Sequence, residues 1–301
     1  MASKMLRWFG IVVASVLVLV IAIILAGRVV SGRRIAKVHA ASASREISIP
    51  ADSAAVARGE HLVRAVSGCV GCHGEDLSGT VMIDVKPLGR VAAANLTRGK
   101  GGIAAGRTDA DLARALHRGV RPDGTSLWIM PSEAYVHMSA EDIGAVVAYL
   151  RQLPAADHEL PANELRYVGR VLLMLGKLPL LSAELTPDAP YPPAIPPDTT
   201  AAYGRYLANI GGCTGCHGPS LSGQAAGGGP DMPPSSNITP TGIGSWSQAD
   251  FVRALREGKR PSGVPINEAM PWKVFGKMTD QELQALWAYL RTVPPKEFTA
   301  R

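Results

Sequence analysis

The sequence predicts an all-α fold: two tandem helical modules of about a hundred residues each, preceded by an amino-terminal transmembrane helix. Three observations carry this expectation. The run Cys69-Val70-Gly71-Cys72-His73-Gly74 returns as Cys213-Thr214-Gly215-Cys216-His217-Gly218. Each copy is followed by two segments that open on helix caps, the later one carrying an apolar stripe at helical spacing. Finally, no residue from Trp8 to Gly27 is charged.

Phe9 to Ala26 is almost purely apolar, long enough at about 1.5 Å per residue to cross a hydrocarbon core of roughly 30 Å. A cleaved signal sequence has a shorter apolar core of ~7–15 residues with small residues just beyond it. Here Arg28, Arg33, Arg34 and Lys37 follow, and the nearest Ala-x-Ala pattern, Ala41-Ser42-Ala43, lies far downstream. An uncleaved anchor is therefore expected, with a flexible tether from Arg28 to Pro50 built on the Ala-Ser alternation from Ala40 to Ser44. With Lys4 and Arg7 before the helix and four bases after it, the positive-inside tendency alone would keep the large domain in the cytoplasm. Large domains, however, translocate largely regardless of charge. The six Lys and Arg of residues 1–39 also account for the whole formal excess of +6. The remainder is neutral and has no bulk electrostatic reason to bind nucleic acid.

The chain divides into an anchor and tether (1–49), a first module (50–154), a linker (155–197) and a second module (198–301). Ala54 to Val63 and Ala202 to Leu207 read as helices leading to the two motifs, with Gly59 and Gly204 at matching places where another helix could cross closely. After each motif comes a glycine-rich irregular stretch. Thr108-x-x-Asp111 and Ser247-x-x-Asp250 then open one pair of helices; Ser139-x-x-Asp142 and Thr279-x-x-Glu282 open another. In the last helix of each module Ile143, Val146, Val147 and Leu150 match Leu283, Leu286, Trp287 and Leu290, and both helices should stop before Pro154 and Pro294. In the linker, Leu165 to Leu175 is apolar but too short to span a bilayer, so it is a packing helix or a docking surface. Pro187 to Pro197 is a stiff extended run.

Cys-x-x-Cys-His is the attachment signal of c-type haem. Two thiols form thioethers with the porphyrin vinyl groups, and the adjacent imidazole becomes an axial iron ligand. Cys69, Cys72, Cys213 and Cys216 are the only cysteines, so the expectation is two covalently bound haem c groups, with His73 and His217 as proximal ligands. A redox dithiol would not need the histidines. A zinc site would have to join pairs far apart and would leave both histidines unexplained.

A methionine on the other face of the iron makes an electron carrier and raises the potential. Aligning the last helices by their Tyr-Leu-Arg ends pairs Met130 with Met270 and Met138 with Met278. Met130-Pro131 and Met270-Pro271 lie in loops where a side chain can be aimed at a metal, so they are the expected ligands, whereas Met138 and Met278 precede helix caps and should pack. His61, His117 and His137 are alternatives in the first module, more simply read as surface or cap residues. The glycines Gly227 to Gly229, followed by Pro230, belong to a loop. No nucleophile with a base, phosphate-binding glycine motif or paired-carboxylate pattern stands out.

With the two Cys-x-x-Cys-His-Gly motifs, the Met-Pro loops, the Ala-Tyr-Leu-Arg helix ends and Asn237-Ile238-Thr239-Pro240 with Gly242-Ile243-Gly244-x-Trp246, the chain resembles a dihaem class I c-type cytochrome. It is similar to membrane-bound cytochrome subunits of periplasmic alcohol and sugar dehydrogenases, which usually carry three haems. The resemblance implies maturation outside the cytoplasm, hence a single anchor in the inner membrane, held by lipid, with the haem domains facing the periplasm. It also implies single-electron transfer between a redox protein donor and acceptor, a dehydrogenase or terminal oxidase among them. The first module departs from the pattern: Arg98 stands where the second has Pro240, and Arg107 near the place of Trp246. Two unequal haems are expected. The competing expectation is a haem enzyme with one open iron, such as a dihaem peroxidase or thiosulfate dehydrogenase; a sensor or assembly subunit lacks a visible output domain.

Overall fold

The computed structural model describes residues 2–39, 47–226 and 232–298. The Ala40–Ser44 alternation, the Ala-x-Ala pattern and the Gly227–Gly229 loop lie outside the described residues. Helix α1 spans Ala2–Ile35 as one 34-residue helix, long and apolar enough to cross a membrane, with its apolar window wholly exposed. It continues past the apolar run through Arg28, Arg33 and Arg34, where the sequence suggested a tether. The cause lies far along the chain: Arg34 bonds the carbonyl of Leu173 and pairs with Glu184.

The first module runs α2 (Ser53–His61), a π-helical turn at Leu62–Val66, α3 (Val70–His73), a hairpin of β1 (Thr80–Val85) and β2 (Gly89–Ala93), then α4 (Asp109–Arg118), α5 (Ser132–Tyr135) and α6 (Ala140–Gln152). In the linker a two-residue strand β3 (Glu164–Leu165) adds to β2, giving an antiparallel sheet in the order β1-β2-β3. It is followed by α7 (Tyr167–Met174) and α8 (Ser182–Leu185). The second module has α9 (Ala201–Ile210), α10 (Cys213–His217), α11 (Pro240–Ile243), α12 (Gln248–Glu257), α13 (Trp272–Phe275) and α14 (Asp280–Thr292). The chain is thus largely helical, with one small sheet that the glycine-rich stretch of the first module had concealed.

The predicted helix starts form as cap chemistry requires. Thr108, Ser247 and Thr279 close reciprocal capping boxes with Asp111, Asp250 and Glu282, each cap stabilising its helix by about 1 kcal/mol. Ser139 accepts from the Asp142 N–H, but Asp142 does not return the bond; its carboxylate is held by Arg58. Helix α6 ends at Gln152 and α14 at Thr292, ahead of the two prolines.

In each module the first helix crosses the last at the paired glycine. A Cβ on Gly59 would lie 2.0 Å from the Ala145 carbonyl oxygen, and one on Gly204 would lie 1.8 Å from that of Ala285. Only hydrogen fits there. The crossings bury the predicted stripes, with Ile143, Val147 and Leu283 at 0% exposure, in one core that both modules share. Trp287 is half-buried and tilts against Phe251 at 5.5 Å. A second, smaller cluster of Val91, Leu165, Leu173, Leu180 and Leu181 packs the linker on the hairpin.

Candidate haem sites

Both motifs fold into one short helical turn held by the same backbone device. Gly68 and Gly212, immediately before the first cysteines, have φ of 62° and 68°; Gly74 and Gly218, immediately after the histidines, have 81° and 78°. These left-handed values favour glycine. They start and stop the turn so that Cys69 and Cys72, or Cys213 and Cys216, three residues apart on a helix, share one face. A side chain then fastens the second cysteine in each: the Thr80 hydroxyl donates to the Cys72 carbonyl at 2.7 Å, and the Gln224 amide to that of Cys216 at 3.0 Å.

The two histidines are almost buried, and each is oriented by a backbone carbonyl. His73 Nδ1 lies 2.8 Å from the Ala94 oxygen and His217 Nδ1 2.7 Å from that of Ser236. A carbonyl only accepts, so Nδ1 carries the proton and Nε2 keeps a free lone pair. Burial lowers the pKa of both rings, and the bond to the carbonyl partly opposes it. Those carbonyls are themselves held. Asn95, next to Ala94, accepts from the Thr97 N–H and donates to Ala156; Asn237, next to Ser236, accepts from the Thr239 N–H and donates to Lys296. The sequence reading missed Ala94 and Ser236 because they act through the backbone. The repeated Asn-x-Thr was the available signal.

In the second module the motif opens on a cavity lined chiefly by apolar side chains. Cys213, Cys216, His217 and Met270 share it with Trp246 and Phe275. Met232 and Met278 line it too; Met278 is 2% exposed and packed, whereas Met232 is 38% exposed. In the first module Met138 is 1% exposed, while Met130 is half-buried beside the core that also takes Cys69. The two Met-Pro loops have one conformation: Pro131 and Pro271 have φ/ψ of −79°/55° and −77°/52°, each starting a four-residue helix. Thioether, imidazole and paired thiols around an apolar cavity fit a covalently held porphyrin.

They do not fit a dithiol or zinc centre. Burial raises the Cys69 thiol to about 11, with a Tyr135 hydrogen bond opposing, and the Cys213 thiol to about 12, which disfavours the ready thiolate of a redox dithiol. Among the described residues no group of three or more His, Cys, Asp or Glu is placed to hold a metal ion.

The cytochrome c family model matches residues 56–154 and again residues 201–294. The chain belongs to the cytochrome c family. As a cytochrome c with two domains it uses covalently bound haem c, the cofactor of that family. It is 29% identical over 263 residues to the fructose dehydrogenase cytochrome subunit of Gluconobacter japonicus, covering 80% of this chain and 53% of that one. It is 28% identical over 274 residues to the cytochrome c subunit of the quinone alcohol dehydrogenase of Gluconacetobacter polyoxogenes, covering 81% and 57%. A diheme c-type cytochrome of Cereibacter sphaeroides is 27% identical over 269 residues, covering 80% and 86%. This cytochrome c therefore spans little more than half the length of these two dehydrogenase subunits.

The remaining sequence candidates have other partners. His61 bonds Glu282, at 2.6 Å. His117 is buried against the Tyr191 ring, 4.2 Å between centroids, and burial lowers its pKa to about 4. His137 is exposed. Arg98 and Arg107 are exposed on the first cytochrome c domain, where the second has the α11 turn opened by Pro240 and a half-buried Trp246 in the cavity. The two domains therefore differ at these positions.

Proposed function

We propose that this chain is a membrane-anchored dihaem cytochrome c that passes single electrons between redox proteins on the periplasmic side of the inner membrane. The observation that carries the reading is the doubled framework of paired cysteines on one turn, a histidine Nδ1 held by a backbone carbonyl, and a Met-Pro loop of one conformation. Cys69 and Cys72 would hold the first haem and Cys213 and Cys216 the second, with axial pairs His73/Met130 and His217/Met270. Bound haem supplies a reversible one-electron couple. The protein orients both imidazoles, aims the thioethers and excludes water with apolar side chains, so that little reorganisation accompanies the charge change.

Two of the three named relatives are cytochrome subunits of fructose and alcohol dehydrogenases, which supports a dehydrogenase as the electron donor here. Helix α1, apolar and exposed, supports the anchor, and the covalent haem motifs support the periplasmic side. Intact mass together with a potentiometric titration of the full-length protein tests the reading. Two haem additions and two one-electron steps are expected; apo-protein mass, bound zinc or a single step would contradict it.

A further inference from the structure

Apart from Arg170, helix α7 is built of apolar and aromatic side chains around its whole circumference, which a helix with only one packed face does not require. Its inner side is accounted for. Leu173 is fully buried and Gly169 lies so close to the hairpin that a Cβ would be 2.1 Å from the Leu88 carbonyl oxygen. On the side away from the hairpin Tyr167, Val171 and the C-cap Leu175 recur at every fourth position; Val171 is half-buried against α1, while Tyr167 and Leu175 on either side of it are 56% and 58% exposed.

What this outer stripe faces follows from α1. Gly27 and Ser31 are buried, one helical turn apart, and form a small-residue seat for α7. A Gly27 Cβ would lie 2.9 Å from Val171 Cγ2, and Arg170 donates to the Ser31 hydroxyl at 3.2 Å. Arg34, further along, reaches Leu173 and Glu184. The charge-free run of α1 ends at Gly27, so the α7 stripe that carries Val171 meets α1 at the level where hydrocarbon gives way to headgroups. The β1–β2 turn is stitched to the same place: the Val168 N–H donates to the Pro87 carbonyl at 3.0 Å and that of Arg166 to Leu88 at 3.1 Å. The turn so held against the start of α7 carries Val85, 49% exposed, and exposed Lys86. Lys177 is exposed just beyond Leu175. Tyrosine and lysine around short apolar side chains are the composition of a bilayer interface.

We propose that the outer stripe of α7 and the β1–β2 turn lie in the headgroup layer of the bilayer that α1 crosses, seating the first cytochrome c domain on the lipid surface in one orientation. The inference rests on reading α1 as an anchor. Lipid is favoured over a protein partner because the stripe is continuous with α1 at the last residue of its charge-free run.

The test is site-specific photocrosslinking of the full-length, haem-loaded protein. Benzoylphenylalanine is placed in turn at Leu17 in α1, at Tyr167, at Leu175 and at Val264, which is 52% exposed on the second domain. Samples are irradiated in native membranes and in phosphatidylethanolamine–phosphatidylglycerol vesicles, and adducts are read by mass spectrometry. Lipid adducts at 17, 167 and 175 in both settings, with none at 264, are expected. Lipid at 17 without lipid at 167 and 175 would overturn the seat and leave the anchor standing. Protein adducts at 167 and 175 in native membranes, or lipid adducts at 264 as abundant as at 175, would also overturn it. Absence of lipid at 17 would remove the anchor and the seat together.

Discussion

His61 Nε2 and Glu282 Oε2 lie 2.6 Å apart and join the first helix of one domain to the last helix of the other. The reciprocal bond is present: the Tyr206 hydroxyl donates to Asp142 Oδ2, also at 2.6 Å. His61 and Tyr206 occupy matching places in α2 and α9, as Asp142 and Glu282 do in α6 and α14, so the two domains meet about an approximate two-fold axis. Arg58 sits between the carboxylates, bidentate on Asp142 at 3.0 and 2.9 Å and 3.2 Å from Glu282. Residues next to the haem motifs follow the same exchange: a Cβ on Gly68 would touch Val274, and one on Gly212 would touch Ala134, each on the short helix after the other domain's Met-Pro loop.

Glu282 is 3% exposed, and replacing it by Gln should destabilise the protein by about 1–3 kcal/mol, the cost of disturbing a buried polar network. Burial alone would raise its pKa, but the bond from His61, the Thr279 N–H and the charge of Arg58 hold it below the ordinary value. A carboxyl depressed in the folded state binds its proton less readily than in the unfolded chain. Its contribution is therefore present above the unfolded value of about 4.3 and lost as pH falls through the folded one. Thermal melts of wild type and Glu282→Gln should differ at neutral pH and converge in acid. A difference that grows on acidification would contradict the assignment.

Gly59→Ala and Gly204→Ala should each destabilise their own helix crossing, because the new methyl meets a backbone carbonyl that no rotamer change can move. Overpacking of this kind costs about 1–3 kcal/mol. Chemical denaturation followed by circular dichroism measures it; a neutral result at either position would mean that the crossing is looser than 2.0 or 1.8 Å implies.

Asn237→Ala should loosen the Ser236 carbonyl that orients His217, at a cost of about 1 kcal/mol. It should also raise the potential of the second site, since a histidine that loses its Nδ1 acceptor is a weaker donor to iron. Asn95→Ala should do the same to the first site. Potentiometry resolves the two. Equal shifts of both potentials by one substitution would indicate a general structural effect instead.

The motifs, caps, stripes and paired glycines were legible because each is a local pattern with a local cause. Thr108 caps through Asp111, three residues away, and Gly59 announces a close crossing without naming its partner. The hairpin was missed although Thr80-Val81-Met82-Ile83-Asp84-Val85 is rich in β-branched residues, a strand signal outweighed by the helical expectation around it. The continuation of α1 to Ile35 depends on Glu184, and the domain interface on Arg58 meeting Asp142 and Glu282. Such partners are distant in sequence, and no single window contains both sides. The carbonyls of Ala94 and Ser236 carry no residue type to read.

The near-infrared absorption of the ferric full-length protein tests the axial assignment most directly. If Met130 and Met270 are both ligands, the weak sulfur-to-iron band should have the intensity of two His/Met haems, and Met130→Ala or Met270→Ala should each halve it. A wild-type band worth one haem or none, or a band unchanged by either substitution, would contradict the account of a carrier with two closed sites.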